Sequence, residues 1–224
     1  MLLAEDLLLL LLDDEKGTAP SLWVDIKVPL GAAVLAELAM DDAVELEPET
    51  SRWRTPKLRA TGRPAGDGVL AEALAVVGEK PRTTVDLAGR VGAGLKDRLA
   101  ERLAAQGLLE RLDDRVLGLF PRTRWPALAS AHEAETRQRL AAVVVQGAAP
   151  DERIVALAGI LSALERLAPV LGLKGAEARD AKKRVKDLTK GELGTKAVRD
   201  AVEAAISVVT TTIVTTTVVT SSSS

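Results

Sequence analysis

Apolar residues along most of the chain recur at helical spacing and are separated by short polar turns. The leucine-rich segment 2–12 ends at "DDEKGTAP", and the apolar segment 30–40, "LGAAVLAELAM", ends at "DD". Apolar positions three and four apart fall on one face of a helix, so both segments predict buried helices. Four later segments predict further helices: residues 130–146, 151–167, 175–188 and 195–209.

Between these helical regions the pattern changes to short alternating runs. The stretches "AVELE" and "TPKLRATG" predict two short strands, the first acidic and the second basic. A helix over "DGVLAEALAVVGE" follows, with Asp67 as its predicted N-cap.

The next region has the order helix, turn, helix, hairpin. Thr83 or Thr84 opens a short helix, and a longer helix carries leucines at positions 95, 99 and 103 on one face. "LLERL" and "RVLGLF" then flank Asp113–Asp114, which predicts a β-hairpin with its turn at the two aspartates. This order is typical of a winged helix. The chain as a whole predicts a mainly α, single-domain helical bundle with a winged-helix-like segment and short β-hairpins. We expect the domain to span residues 1–210, before a Thr/Ser-rich tail over 211–224.

Composition argues against catalysis and against a metal site or cofactor. The 224 residues include no cysteine and one histidine, His132, for which we expect a solvated helix position. The aspartate pairs at 13–14, 41–42 and 113–114 all fall at predicted turns, where Asp serves backbone geometry. We therefore expect a protein that is not an enzyme.

The N-terminal apolar run does not predict a targeting segment. Leu7–Leu12 is too short for a signal-peptide core and follows two acids. No stretch reaches the ~20 apolar residues of a membrane span. We expect a cytoplasmic protein whose contact with a membrane would be peripheral.

Basic residues are concentrated in a few places although the net charge is −2. The strip "SRWRTPKLRATGRP" at 51–64 contains Arg52, Trp53 and Arg54 and no acid. It predicts either a phosphate-facing edge or a strand paired to Glu45 and Glu47. "KKRVK" at 182–186 predicts a solvated helix face, because Glu177, Asp180 and Asp187 lie nearby in the sequence.

Two binding functions fit these features. A winged helix would bind nucleic acid through the helix at 94–106, whose exposed residues carry one net positive charge. Alternatively, the hairpin would insert Leu117, Leu119 and Phe120 into an anionic membrane beside its arginines. Packing of those hairpin residues in the core is an equally simple reading.

The order of motifs resembles the Golgi phosphoprotein 3 family, including its actinobacterial members. "LLAEDLLLLLLDDEKGT", "SLWVD" and "GAAVLAELAMDDAVELE" resemble its first helix, tryptophan loop, and second helix with strand. "SRWRTPKLRATGRPAGDGVLAEAL" resembles its basic strand, and "LKDRLAERLAAQGLLE" its central helix before a membrane hairpin.

The resemblance implies phosphatidylinositol 4-phosphate as ligand and an adaptor role. It assigns Trp23 and Lys96 to the head-group pocket. Beyond the resemblance, we expect Arg52 and Arg54 to be auxiliary cations, folded next to Trp23. Two further basic positions of the family fall on Gly31 and Ala93. We expect a bacterial, cytoplasmic protein, peripheral to the inner face of the membrane, that binds anionic phospholipid. Its protein partners, further copies of the chain included, are left open. The alternatives are a winged-helix nucleic-acid binder and an interaction module without a lipid site.

Overall fold

The computed structural model describes six segments of the chain, and for residues 115, 116 and 120–122 only the backbone. The segments are residues 1–12, 26–47, 57–116, 120–128, 131–191 and 203–210. The helices are α1 (Leu3–Leu11), α2 (Lys27–Met40), α3 (Gly68–Gly78), α4 (Thr84–Val91), α5 (Leu95–Ala105), α6 (Ala131–Ala141), α7 (Glu152–Ala163), α8 (Leu167–Leu171) and α9 (Gly175–Lys190). The strands are β1 (Val44–Leu46), β2 (Lys57–Ala60), β3 (Arg82–Thr83), β4 (Leu112–Val116) and β5 (Phe120–Arg124). The prediction of a mainly α, single-domain fold is confirmed.

The leucine-rich helix α1 lies inside the bundle. It packs against α2, α5, α6 and α7, and each of its residues is buried, the acids Glu5 and Asp6 included. Burying a leucine side chain contributes about 1.5–3 kcal/mol, so this run of leucines is a principal source of hydrophobic stabilisation. The helix predicted over 2–12 is confirmed.

A three-stranded antiparallel sheet, in the order β1-β2-β3, lies beside the helices. Its register places Glu45 opposite Arg59, as the predicted pairing of an acidic with a basic strand requires. The last residue of β3, Thr83, is also the N-cap of α4, where its hydroxyl accepts from the amide of Asp86. The strand therefore leads directly into the winged-helix-like segment.

That segment has the predicted order, with α4 and α5 followed by the hairpin β4–β5, but the predicted turn is wrong. Asp113 and Asp114 lie within β4, opposite Thr123 and Arg122. Both aspartates have cross-strand partners, since the Thr123 hydroxyl donates to Asp113 and Arg124 Nε donates to Asp114 at 2.8 Å. These bonds hold the aspartates in strand positions. In addition, β3 pairs with β2 and forms a sheet separate from the hairpin.

The helix starts follow the sequence more closely than the helix ends. Asp67 and Asp151 are N-caps that accept from Val69 and Ile154 amides. The helix predicted over 151–167 is wrong at its end, because α7 stops at Ala163 and Glu165 adopts a φ of 56°. The helix predicted over 130–146 continues from α6 as a π-helical turn, Ala142–Gln146. The described part of the last predicted helix covers residues 203–210.

Candidate functional site

The start of α2 packs unusually close to the end of α4, through two glycines. A Cβ atom added at Gly31 would lie 2.0 Å from the carbonyl oxygen of Ala88. A Cβ atom added at Gly92 would lie 1.9 Å from the carbonyl oxygen of Lys27. Only glycine allows this approach, because any side chain would overlap backbone atoms.

This contact brings the N-termini of two helices to the same region. The chain turns through Gly92–Gly94 after α4, with Gly94 at a φ of 69°, and α5 begins at Leu95. The preceding residues, Ile26 for α2 and Gly94 for α5, have no side chain that can accept from the first amides. The Leu95 amide donates to the Gly92 carbonyl at 3.2 Å and Pro29 has no N–H, so the remaining amides of these first turns, with the helix dipoles, are the groups that favour an anion.

Two lysines accompany these helix starts. Lys27 is the first residue of α2 and Lys96 the second residue of α5, and both are half-buried. The side chain of Lys96 forms no ion pair with any residue that the structure describes. The candidate site therefore combines backbone amides with at least one cation that is not neutralised by those residues.

Among the site residues predicted from sequence, the structure describes the side chain of Lys96 only. Trp23, Arg52, Arg54, Leu117 and Leu119 lie outside the described residues. Phe120 is the first residue of β5 and pairs with Val116, and its side chain is not described. The convergence of the cations on Trp23 stays a prediction.

The two uncharged positions of the predicted pocket differ in their surroundings. Gly31 is buried in the contact with α4 and has no room for a side chain. Ala93 is exposed in the turn between α4 and α5. The lack of charge at position 31 is thus a packing requirement of this chain, whereas position 93 could carry a longer side chain.

Part of the basic strip at 51–64 is paired within the fold. Arg59 contacts Glu45 at 2.5 Å across β1 and β2, and Arg63 contacts Asp42 at 3.0 Å. For Arg59 the strand-pairing interpretation is confirmed. Both pairs are well exposed to solvent, so each contributes at most about 1 kcal/mol.

The arginines of α5 are also paired. Arg98 contacts Glu72 at 2.7 Å, and Arg102 bridges Asp67 and Glu5 at 2.9 and 3.0 Å. The hydrogen bond from Arg102 lowers the pKa of Asp67, and the same bond raises the pKa of Arg102. In the helix that would contact nucleic acid, two of the three cations, Arg98 and Arg102, are therefore paired with carboxylates.

A buried charge network under α1 was missed by the sequence analysis. The guanidinium of Arg153 on α7 contacts Asp6 at 3.0 Å, contacts Glu37 more closely, and donates to the carbonyl of Met1 at 2.7 Å. Burial raises the pKa of Glu37 in spite of the opposing effect of Arg153. The sequence signal was available, because Glu5, Asp6 and Glu37 interrupt apolar helices.

His132 lies on helix α6 as expected, but its side chain is only partly solvated, because it also contacts this network. Its Nε2 lies 2.7 Å from an oxygen of Asp6, and 37% of its side chain is exposed. The two residues are 126 positions apart, which is why local sequence gave no indication. Within the described segments, no group of three or more His, Cys, Asp or Glu residues has the geometry of a metal site.

One protein-family model matches nearly the whole of the described part of the chain. The family model Golgi phosphoprotein 3 (GPP34) matches residues 3–205. A search of curated proteins found no match. None of the described helices combines the length and apolar character that crossing a bilayer requires.

Proposed function

Because the chain belongs to the Golgi phosphoprotein 3 family, we propose that it is a peripheral membrane protein that binds anionic phospholipid head groups, of the phosphatidylinositol 4-phosphate type. The observation that carries this proposal is the meeting of the α2 start with the α4–α5 turn. Two helix starts without a side-chain cap occur together there with Lys96.

A phosphorylated head group fits this combination chemically. Phosphate oxygens accept hydrogen bonds from amides at a helix start, and a lysine beside them adds a charge-assisted contact. In the proposal, Trp23 and Lys96 line the pocket, and Arg52 and Arg54 are auxiliary cations. No contribution from position 31 is included, since a side chain there would overlap α4.

Membrane contact would extend beyond the head group. Leu117, Leu119 and Phe120 are the candidates for insertion into the interface, because they occupy or border the connection between β4 and β5. Apolar insertion and attraction to anionic lipid add to one another at a membrane surface. The protein would act without catalysis, at the inner face of a membrane, and would serve as an adaptor for another protein.

Vesicle co-sedimentation at two salt concentrations tests this function. Three vesicle types are compared: neutral lipid, neutral lipid with a generic anionic lipid, and neutral lipid with phosphatidylinositol 4-phosphate. The variants Trp23→Ala and Lys96→Ala are compared with Lys80→Ala, which removes an exposed lysine outside the candidate site. We expect selective binding to the phosphoinositide vesicles that is lost in the first two variants and retained in the third.

Other outcomes would overturn parts of the proposal. Salt-sensitive binding to every anionic vesicle, equal in all variants, would mean a generic basic surface without a pocket. Failure to sediment with any vesicle would reject the membrane function and leave nucleic acid and protein as the partners to test.

A further inference from the structure

The cations of α9 are arranged as a stripe along one side of the helix. At 3.6 residues per turn, they fall within an arc of about 100°. We call this set the basic stripe; its members are Arg179, Lys182, Lys183, Lys186 and Lys190. All of them are exposed, whereas Ala181 and Val185 on the opposite side are buried.

The acids of α9 lie outside the stripe. Glu177, Asp180 and Asp187 fall on the neighbouring flank of the helix, together with Arg184. Their closeness in sequence suggested a mixed, solvated face. In the helix, Asp180 and Asp187 border the stripe on one side, three and four residues from Lys183, and no acid lies within the arc of the cations, so positive charge is concentrated along one line.

The basic stripe is also poorly neutralised by other elements. Lys182 approaches Glu165 at 3.9 Å, with both side chains more than two-thirds exposed. The other four cations form no ion pair with any residue in the described segments. By contrast, arginines such as Arg98, Arg102 and Arg153 are each paired with a carboxylate.

Helix stability does not account for the whole stripe. Cations in the last turn of a helix interact favourably with its dipole, and this effect falls off within one turn. It applies to Lys190 and in part to Lys186, near the C-terminal end of α9. It does not apply to Arg179, which lies in the second turn.

We propose that the basic stripe is a docking site for an acidic, extended segment of a protein partner. From residue 179 to residue 190 the stripe is about 16 Å long, at 1.5 Å per residue. About five residues of an extended chain, at ~3.3 Å each, cover that length. Alternating carboxylates on such a segment would meet successive turns of α9.

The surroundings of the stripe favour a narrow ligand. Asp180 and Asp187 border it on one side, and Glu165 approaches it at Lys182. A nucleic-acid duplex or a bilayer covers a wider surface and would bring phosphates against these carboxylates. A single peptide strand fits between them.

The stripe is separate from the proposed lipid site. Helix α9 packs against α7, α8 and the π-helical turn, whereas the lipid site is formed by α2, α4 and α5. Because α7 itself packs against α2, it lies between α9 and that site in the packing order. The two surfaces therefore do not overlap, and the peptide experiment can be carried out without lipid.

Fluorescence anisotropy with a labelled octaglutamate peptide tests this proposal, at low and at physiological salt. The variant Lys183→Gln/Lys186→Gln removes two stripe charges while keeping good helix formers. The matched control Lys57→Gln/Lys80→Gln removes the same charge from exposed positions elsewhere. We expect the stripe variant to bind the peptide about tenfold more weakly at low salt, and the control to change less than twofold.

Competition distinguishes the kinds of partner. Unlabelled octaglutamate should displace the labelled peptide at a lower concentration than either of two other competitors. These are an oligothymidylate of equal charge and vesicles that mix neutral with anionic lipid. Equal weakening in both double variants would reject the stripe as the docking site. Stronger displacement by the oligonucleotide or the vesicles, lost in the stripe variant, would reject a protein partner. Unchanged circular dichroism of each variant secures the comparison.

Discussion

At the residue scale, Arg153 is the side chain on which the buried charge of the core depends. It contacts two carboxylates, Asp6 and Glu37, whose side chains are 7% and 10% exposed. Without the guanidinium, Glu37 would keep only the amide of Leu3 and Asp6 only the imidazole of His132 among the described hydrogen-bond partners, and neither would face a permanent positive charge in this poorly solvated region. Removing one partner of a buried pair leaves an uncompensated charge and is strongly destabilising.

We predict that Arg153→Met lowers the free energy of unfolding by about 3–5 kcal/mol. Arg139→Met is the matched control, because Arg139 pairs with Asp151 where both side chains are half exposed, and its loss should cost less than about 1 kcal/mol. Urea unfolding followed by circular dichroism measures both. Equal effects of the two variants would show that the network under α1 contributes no more than a surface pair.

The deficit of Arg153→Met should also depend on pH. Burial already raises the pKa of Glu37, and Arg153 is the main group opposing that rise. In the variant the carboxyl therefore takes up a proton more readily, which removes the buried charge. The difference in stability between wild type and variant should shrink as the pH falls toward the ordinary pKa of Glu, 4.5.

Asp67 provides a second pH prediction, with the opposite sign. Its pKa is lowered, chiefly by the hydrogen bond from Arg102, so the folded state favours the ionised carboxyl. This stabilisation is fully present above the ordinary pKa of 3.8 and is lost as the pH falls through the lowered value. Asp67→Asn keeps an N-cap acceptor but removes the charge.

We expect Asp67→Asn to cost about 1–2 kcal/mol at neutral pH, since the pair is partly exposed. The cost should decrease below about pH 4. Thermal unfolding of both proteins between pH 2 and 7 measures it, and a difference independent of pH would contradict the assigned role of the ion pair.

The roles of acidic residues were predictable from the sequence where their hydrogen-bond partners are local, and were missed where the partners are distant in sequence. The N-caps Asp67 and Asp151 bond amides two and three residues away, so the sequence indicates them directly. The partners of Asp6 and Glu5 lie 147 and 97 positions away. Only the packing of α1 against α5 and α7 brings them together.

At the scale of elements, the contact between α2 and α4 determines where the candidate site lies. Gly31 and Gly92 allow backbone to touch backbone, which brings the first turn of α2 to the turn before α5. Gly89, in the same helix α4, has no atom within 4 Å of an added Cβ. Substituting Gly31 and Gly89 by alanine therefore compares the cost of a packing overlap with the gain in helix propensity.

We predict that Gly31→Ala destabilises the fold by about 2–3 kcal/mol, because the new methyl group overlaps the Ala88 carbonyl. Gly89→Ala should instead stabilise it by about 0.5–1 kcal/mol, as expected in a helix with free space. Chemical unfolding of both variants tests this. A neutral effect at Gly31 would mean that the helices separate easily.

The same contact predicts a loss of function. If Gly31→Ala moves α2 from the α4–α5 turn, vesicle binding should fall more than it does in Gly89→Ala, with both proteins measured below their unfolding temperatures. Equal binding in the two variants would show that the proposed lipid site does not rely on this approach.

Elements were predicted from periodicity more reliably than their boundaries. Helices α1, α5 and α9 follow their apolar positions, and the sequence places them well. The turn of the β4–β5 hairpin was placed at Asp113–Asp114 because aspartates favour turns. Cross-strand bonds to Thr123 and Arg124 override that preference, and no local pattern reveals them.

The site was predictable only in part for the same reason. The position of Lys96 near the start of a helix follows from its place after "GAG". The proximity of that helix to α2 depends on two glycines 61 positions apart in the sequence, Gly31 and Gly92. Nothing in their immediate neighbours indicates that they meet.

At the scale of the whole molecule, one hydrophobic cluster connects most of the described helices. It includes residues of α1, α2, α5 and α7 and extends to Val208 and Val209 in the segment 203–210. A single core of this kind predicts a single cooperative unfolding transition.

We predict that Leu8→Ala, at a position with no solvent exposure, lowers stability by about 2–5 kcal/mol without dividing that transition. Calorimetry measures this through the ratio of van't Hoff to calorimetric enthalpy. Val85→Ala, at an exposed position of α4, is the control and should change stability little. Two separate transitions in Leu8→Ala would indicate independent folding units.

The burial of α1 also has a consequence for synthesis of the chain. This helix leaves the ribosome before α7, because Arg153, which bonds Asp6 and the Met1 carbonyl, is translated about 150 residues later. At a translation rate of roughly 5–20 residues per second, the leucines of α1 remain uncovered for on the order of 10 s before α7 has been synthesised. During that interval the nascent chain presents a strongly apolar segment to its surroundings. The speed of elongation and the availability of chaperones should therefore influence how much of this protein reaches its native state.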